Sequence, residues 1–287
     1  MKMPITLCLI VIAIAVTAST VQAQQDVLII AHRGGRGLWP ENTIYGYREA
    51  LETGVDVLEI DVWRTSDNIV VVNHDQRVDR TTDGLGEVRS FTLAEVQKLD
   101  AGYRWSIDGT YPYRGKGHII PTLDDVLTEY PSARFNIDLK ENSDALIRAV
   151  SSLIDKHAAH DRVMIASFHQ RALRKFRKLN PSVPTSAGSA EIIRFLLLSK
   201  LRLTNLFTPQ FEAFQVPMTA GPISVVNKAF IDAAHQRGIE VHPWTVNDPA
   251  EMRRLIAQGI DGIITDFPDR LSEILTEQSS ITDALEE

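Results

Sequence analysis

Residues 31–86, AHRGGRGLWPENTIYGYREALETGVDVLEIDVWRTSDNIVVVNHDQRVDRTTDGLG, combine a strand-like run with two histidines and a pair of carboxylates. Glu59 and Asp61 lie two residues apart within the apolar, β-rich run 57–63. Because side chains alternate between the two faces of a strand, both carboxylates point to the same side. Paired carboxylates suit a hard divalent cation, and the flanking His32 and His74 can act as general acid and general base. The stretch therefore predicts a metal-assisted hydrolytic site.

Beyond this stretch, apolar β-rich runs alternate with helical patterns along the chain. Eight β–α alternations in a chain of 287 residues favour an α/β fold of the TIM (β/α)8 barrel type over an open doubly wound sheet. No glycine-rich dinucleotide fingerprint follows the first run, which weakens the Rossmann alternative. The predicted strands cover 27–31, 57–63, 135–139, 163–167, 183–186, 213–216, 239–243 and 262–265, and the main helices cover 41–53, 143–158, 170–179, 190–201, 225–237, 249–258 and 270–276.

The alternation is interrupted once, between the second and third predicted strands. Residues 75–133 contain no clear core strand and are rich in Gly, Arg, Thr and Tyr. The segment is longer than an ordinary connection from strand to helix. It is predicted to be an insertion over the barrel mouth, with short helices at 93–99 and 123–129.

The first 23 residues have the pattern of a signal peptide that precedes a single domain over residues 24–287. Lys2 precedes an apolar run at 7–16, and Val21-Gln22-Ala23 offers small residues for cleavage. This predicts an exported protein, periplasmic or secreted. The alternative is an uncleaved segment that anchors the chain loosely to a membrane. The only cysteine, Cys8, lies in this segment.

The formal net charge of −7 argues against a nucleic-acid partner, because proteins that bind a phosphate backbone carry basic patches. A small anionic substrate would therefore need local positive charge. The sequence does not indicate an oligomeric state.

The candidate site residues share one position in the predicted fold, the carboxyl ends of the strands, where barrel active sites form. The histidines and carboxylates of the first two strands would thereby meet residues from distant parts of the chain. The residues predicted at this mouth are His32, Glu59, Asp61, Asp138, Lys140 and Trp244.

The order and spacing of short motifs resemble the glycerophosphodiester phosphodiesterase family. No single motif decides the matter, but together they extend over roughly 240 residues, and independent matches compound. The motifs are HRG at 32–34, PENT at 40–43, EID at 59–61, HD at 74–75, RTT at 80–82, PYRGKG at 112–117, PTL at 121–123, NIDLK at 136–140, WTVN at 244–247 and DGIITD at 261–266.

The resemblance implies that His32 and His74 form the acid–base pair. Glu59 and Asp61 are interpreted as metal ligands, with a salt bridge to a neighbouring arginine as the alternative. Asp138 is the expected third carboxylate, at a position where the family often has Glu. One divalent cation, Ca²⁺ or Mg²⁺, is the cofactor that these oxygen ligands favour.

Three further residues are predicted to bind the substrate. Arg33 and Lys140 are candidate phosphate ligands, since a guanidinium grips phosphate bidentately and an ammonium acts as a point charge. An internal salt bridge with Asp138 or Glu59 is the alternative for Lys140. Trp244 is interpreted as an apolar wall for the alcohol group, or as simple packing at the barrel mouth.

The resemblance implies hydrolysis of a small-molecule glycerophosphodiester to an alcohol and glycerol 3-phosphate. Two other functions stay open. A lysophospholipase D would use the same site on a substrate that keeps one acyl chain, and would need an apolar groove. The apolar run 195–198 could contribute to such a groove, with a helix that packs on the barrel as the alternative. A non-catalytic phosphate-binding protein would not need both histidines.

Overall fold

The computed structural model of the chain describes residues 27–286. The predicted signal peptide therefore lies outside the described residues. Within them, no helix combines the length and the apolar character that crossing a bilayer requires.

The larger sheet consists of parallel strands in the order β10–β1–β2–β4–β5, with β3 added antiparallel to β2. In the register between β2 and β4, Glu59 lies opposite Asn136 and Asp61 lies opposite Asp138. The strands are β1 (Leu28–Ala31), β2 (Val57–Arg64), β3 (Val70–Val72), β4 (Arg134–Leu139), β5 (Val163–Ala166), β6 (Ala213–Pro217), β7 (Thr219–Ala220), β8 (Ile223–Ser224), β9 (Glu240–Trp244) and β10 (Gly262–Thr265).

The remaining barrel positions continue this order around a ring. Parallel bridges join Ile165 to Thr185 and Ser186 to Ala213, so residues 185–186 take the place between β5 and β6. β6 pairs in parallel with β9. β9 lies beside β10, and the amide of Val246 donates to the carbonyl of Ile264 at 3.0 Å, although no continuous ladder joins these two strands in the described part of the chain. The architecture is the predicted α/β barrel.

The helices cover the outside of the ring, and polar caps fix where several of them begin. Thr43, Ser143, Asn227 and Asp248 each accept a backbone N–H in the first turn of the following helix. The helices are α1 (Ile44–Glu52), α2 (Leu93–Val96), α3 (Leu123–Glu129), α4 (Asp144–Lys156), α5 (Gln170–Leu179), α6 (Ser189–Lys200), α7 (Lys228–His235), α8 (Pro249–Ala257) and α9 (Pro268–Glu286).

Strand β2 shows how the core positions the site. Leu58 and Ile60 are fully buried in the main apolar core, which also contains residues of the surrounding helices. Glu59 and Asp61 alternate with them and point to the barrel interior, where they line a cavity. The strand is thus buried on both faces, but only one face is apolar. In the sequence, the site is therefore indicated by carboxylates that alternate with apolar residues along a strand buried on both faces.

The segment between β2 and β4 differs in detail from the expectation. β3 was not predicted. A small apolar cluster of its own holds the insertion together, while α3 packs in the main core with the barrel helices. The predicted range 75–133 therefore includes one barrel helix. The small cluster consists of Val71, Val78, Val88, Val96, Ala101 and Ile120.

Candidate active site

A cavity of about 450 Å³ opens at the carboxyl ends of the barrel strands. It is lined by every site residue that the sequence predicted: His32, Arg33, Glu59, Asp61, His74, Asp138, Lys140 and Trp244. All of these except Trp244 lie together on one side, which we call the charged wall. The fold thus brings residues more than 200 positions apart into one space.

His32 is held by a carboxylate that the sequence reasoning missed. Its Nδ1 lies 2.6 Å from Oδ1 of Asp266, which directly follows β10. Asn247 donates to the other oxygen of Asp266 at 2.9 Å. Burial acts to raise the pKa of Asp266, but the hydrogen bond and charge of His32 lower it on balance. The ionised carboxylate fixes the imidazole, so that Nε2 is the ring nitrogen left to act on a ligand.

His74 has the same kind of partner on its own loop. Its Nδ1 lies 2.6 Å from Oδ1 of Asp75. Arg80 donates from Nε to the other oxygen of Asp75 at 2.6 Å and forms two 2.7 Å hydrogen bonds to Glu41. Burial lowers the pKa of His74, which favours the neutral imidazole that a general base requires.

Glu41 joins this histidine loop to the carboxylate side of the site. It accepts from Arg33 at 3.1 Å as well as from Arg80. Burial alone would raise the pKa of Glu41, but the two arginines lower it to about 2. Alternating charges therefore run without a break from Asp75, the partner of His74, to Arg33.

Arg33 occupies an unusual backbone position at the end of β1. Its φ is +53°, in the left-handed region, and its amide donates to Oε2 of Glu59 at 2.9 Å. The next residue, Gly34, has φ +77°, and a Cβ there would lie 2.6 Å from the ring of Tyr47. The HRG sequence thus forms a tight turn that aims the arginine at the carboxylates.

Two of the predicted metal ligands, Asp61 and Asp138, hold the ammonium of Lys140. Its Nζ lies 2.8 Å from Oδ1 of Asp61 and 2.6 Å from Oδ2 of Asp138. Asn42 donates to the second oxygen of Asp61 at 3.0 Å, and Arg33 Nε is 3.5 Å from that oxygen. The internal salt bridge that the sequence left open for Lys140 is therefore formed, with Asp138 and Asp61.

Burial shapes the protonation of these carboxylates. It raises the pKa of Glu59 well above its usual range, together with the charge of Asp61. Burial also raises the pKa of Asp138. For Asp61, the effect of burial is outweighed by Lys140 and His74, and the pKa is lowered. The site holds more carboxylate groups than its cations neutralise.

This surplus of carboxylate groups is suited to binding a divalent cation. Oδ1 of Asp138 is buried and has no hydrogen-bond partner, so one carboxylate oxygen still needs a positive group. Glu59, Asp61 and Asp138 offer the oxygen donors that Ca²⁺ and Mg²⁺ prefer. Within residues 27–286, no three His, Cys, Asp or Glu side chains are gathered closely enough to hold a metal ion as they stand.

The opposite side of the cavity, which we call the apolar wall, has a different composition. Trp244 packs edge-on against Phe168, with ring centroids 5.7 Å apart, so both alternatives for Trp244, cavity lining and packing, apply. The apolar wall consists of Phe168, Ile192, Ile193, Leu196, Val225 and Trp244.

The orienting residues were missed because most of their partners are distant in sequence. His32 and Asp266 are 234 positions apart, and Arg80 and Glu41 are 39 apart. Asp75 had a local signal, since an acidic residue directly follows His74.

Comparison with known proteins gives one consistent result. The model of the Glycerophosphoryl diester phosphodiesterase family matches residues 32–270. A glycerophosphodiester phosphodiesterase of Bacillus subtilis is 32% identical over 263 residues, which cover 86% of each chain. Human lysophospholipase D GDPD1 is 29% identical over 274 residues, covering 86% of this chain and 85% of the human protein.

The solved structures agree. An Oleispira antarctica phosphodiesterase in complex with the product sn-glycerol-3-phosphate matches with a TM-score of 0.72 and 26% identity, covering 88% of this chain and 97% of the other. The likeness confirms the barrel fold that the sequence predicted.

Proposed function

We propose that this chain, which belongs to the glycerophosphoryl diester phosphodiesterase family and is a phosphoric diester hydrolase, uses a divalent cation to convert glycerophosphodiesters to an alcohol and glycerol 3-phosphate. The observation that carries the proposal is the pair of histidines on one cavity. Each has its Nδ1 bound to a carboxylate at 2.6 Å, which leaves both Nε2 atoms available for proton transfer. A protein that only binds phosphate would not need two imidazoles prepared in this way.

His32 and His74 move the protons of both steps. One histidine takes the proton from a glycerol hydroxyl, whose oxygen attacks phosphorus, and the other gives a proton to the leaving alcohol. Water then opens the resulting cyclic phosphate with the two roles exchanged. Asp266 and Asp75 stabilise whichever imidazole is protonated and keep each ring oriented.

Glu59, Asp61 and Asp138 would hold the cation, Ca²⁺ or Mg²⁺. When bound, it supplies Lewis-acid polarisation of phosphate and hydroxyl oxygens. Arg33 and Lys140 bind the phosphate from the same wall, and Trp244 borders the alcohol from the apolar wall. The buried, hydrogen-bonded position of Arg33 keeps its guanidinium fixed.

A lysophospholipase D activity is the second candidate, and the apolar wall favours it. An acyl chain needs apolar side chains next to the phosphate site, and Ile192 and Leu196 of α6 provide them. The human lysophospholipase D relative shows that this activity occurs in a protein of similar sequence.

The test compares three substrates with the purified enzyme in the presence of Ca²⁺ or Mg²⁺. We expect glycerophosphocholine to be hydrolysed, and bis(p-nitrophenyl) phosphate to be poor, because it lacks a hydroxyl held next to phosphorus. Equal kcat/KM on the hydroxyl-free diester would contradict attack by the glycerol hydroxyl. A strong preference for lysophosphatidylcholine would instead assign the lysophospholipase D activity.

We further propose that residues 1–23 direct export, with cleavage after Ala23. N-terminal sequencing of the protein recovered from the cell tests this. An intact Met1 on a membrane-bound product would favour the anchored alternative.

A further inference from the structure

We infer that one face of α6 docks on the surface of a bilayer that contains anionic phospholipids. This face, which we call the α6 face, consists of Ile193, Leu197 and Leu201. The three residues are spaced by four positions, so they lie on one side of the helix and its end. Their exposed fractions are 59%, 59% and 66%. The inference goes beyond the proposed reaction and does not depend on it.

The apolar surface continues past the end of α6. Leu203 and Leu206 follow it in sequence and are 41% and 59% exposed. Phe168, before α5, is 61% exposed. Single exposed apolar residues are normal on a protein surface, but a run of them on one helix and its extension indicates a contact surface.

The α6 face adjoins the mouth of the active-site cavity. Ile193 and Phe168 both line the cavity while remaining largely exposed, so they form its rim. Phe195, on the opposite side of α6, is fully buried and packs on Phe214 with ring centroids 4.7 Å apart. The core thus holds the exposed face firmly beside the opening.

The charge of this region identifies the partner. The segment 189–206, which contains α6 and its extension, has three Lys or Arg and one Asp or Glu, although the whole chain has a net charge of −7, and that acid, Glu191, is paired with Arg177 of α5. Lys200 and Arg202 border the α6 face, are exposed, and make no ion pair with any described residue. Basic side chains next to exposed leucines suit an anionic membrane surface, where the cations meet lipid phosphates and the leucines enter the acyl boundary.

Two other occupants of this face are less consistent with its charge. A second copy of the chain would bring two basic surfaces together, which is unfavourable. The apolar run 7–16 of the same chain has no acidic residues with which to match Lys200 and Arg202.

The decisive experiment places a fluorescent probe on the α6 face of the full chain. Cys8 is the only cysteine, so a Cys8→Ser background makes any introduced cysteine unique. The probe is attached at Leu201→Cys and, as the matched control, at Leu85→Cys in the insertion, where the native leucine is 73% exposed. Vesicles combine phosphatidylglycerol with phosphatidylcholine that carries brominated acyl chains, which quench only nearby fluorophores.

We expect quenching at position 201 to exceed that at position 85 by about threefold or more, because only the α6 face enters the acyl boundary. Added salt or pure phosphatidylcholine vesicles should weaken the effect, since part of the attraction is electrostatic. Equal quenching at the two positions would overturn the inference. The probe reports on one location, so binding through the N-terminal segment alone does not produce the expected result.

A substitution test gives an independent measurement. The double variant Leu197→Glu/Leu201→Glu changes residues that do not line the cavity, and Leu85→Glu/Ile107→Glu is the control with the same added charge. Vesicle binding is measured by flotation of the unlabelled proteins. We expect it to fall about tenfold in the first variant and less than about twofold in the second. Unchanged binding of the first variant would contradict the proposal.

Two further outcomes also overturn it. A doubled mass in sedimentation velocity that the α6 variant abolishes would assign the face to a second copy of the chain. Without vesicles, the probe at position 201 could also emit at a shorter wavelength than the probe at position 85. If that difference did not depend on protein concentration, the α6 face would be assigned to a segment of the same chain. None of these measurements uses turnover, so failure here is distinguishable from failure of the proposed reaction.

Discussion

The two walls of the active-site cavity are built in opposite ways. The charged wall comes from β1, β2, β4 and the loop of His74, and its side chains are mostly buried and hydrogen-bonded to one another. The apolar wall comes from the later part of the chain, and its Phe168 and Ile193 are 61% and 59% exposed. The difference indicates that the charged wall fixes reacting atoms, while the apolar wall accommodates the variable body of the substrate. Changes to the first should act on kcat, and changes to the second on substrate preference.

Removal of the cation should affect the charged wall most strongly. We expect EDTA to reduce turnover by about 10³-fold or more, because the phosphate charge would then face surplus carboxylates, and Ca²⁺ or Mg²⁺ should restore it. The measurement is kcat on glycerophosphocholine before and after chelation, with metal content determined in parallel. Glu59→Ala or Asp61→Ala should weaken metal binding. Full turnover by protein shown to be metal-free would remove the cation from the mechanism.

Loss of either histidine should have the next largest effect on turnover. His32→Ala and His74→Ala should each lower kcat by about 10²-fold or more, since proton transfer contributes on that scale, while metal content stays the same. His160→Ala is the control, because that ring is bound to Asp155 away from the cavity. A variant that retains normal kcat would show that its histidine has only a structural role.

Glu41, which holds Arg33 of the charged wall from behind, should make the stability of the protein depend on pH. Its folded pKa of about 2 lies below the ordinary value of 4.5, so its contribution is present above about pH 4.5 and is lost as the pH falls toward 2. Glu41→Gln should therefore lower the free energy of unfolding by about 2 kcal/mol at neutral pH.

Urea denaturation of the wild-type protein and the Glu41→Gln variant at neutral pH and at about pH 3 tests this. The difference between their free energies of unfolding should be smaller at the lower pH. Glu52→Gln is the matched control, because the side chain of Glu52 is 67% exposed and its nearest arginine nitrogen is 3.9 Å away. An equal effect of the two substitutions would mean that the arginine contacts of Glu41 add no stability.

The smallest effect is expected from the apolar wall. Leu196→Ser should raise KM for lysophosphatidylcholine by about tenfold, because one buried leucine contact with an acyl chain is lost, and change kcat little. Values for glycerophosphocholine should stay within about twofold. Steady-state kinetics on both substrates, with Leu85→Ser as control, measure this. An equal loss on both substrates would show that the apolar wall does not distinguish them.

The sequence predicted the strands that carry the site because each has a long apolar run with a clear boundary. Residues 183–186 form only isolated bridges, although they take the predicted fifth position. The first helix begins at Ile44 rather than at residue 41, since Asn42 has φ +56° and Thr43 caps the helix. Local backbone geometry of this kind is not visible in a hydrophobic pattern.

The candidate site was predictable up to the residues that line the cavity, and not beyond. His32 and Glu59 carry a local signal, because a polar group at the end of an apolar strand has no packing role. Asp266 and Glu41 lie within the DGIITD and PENT motifs, but neither motif indicates their function, since it depends on partners that only the closed barrel brings within reach. The exposed leucines of α6 were likewise indistinguishable from a barrel-packing helix in the sequence.

The hydrogen bond from His32 to Asp266 also determines when the active site can form during synthesis of the chain. β1 obtains its neighbour β10 only when residues 262–265 have been made, and Asp266 follows directly. Contacts of such long sequence separation are closed late and slowly. A nascent chain that has not yet been extended through residues 262–266 has neither the pairing of β1 with β10 nor the carboxylate that orients His32. Hydrolytic activity should therefore appear only after synthesis of the barrel is complete, and not while the chain is still emerging.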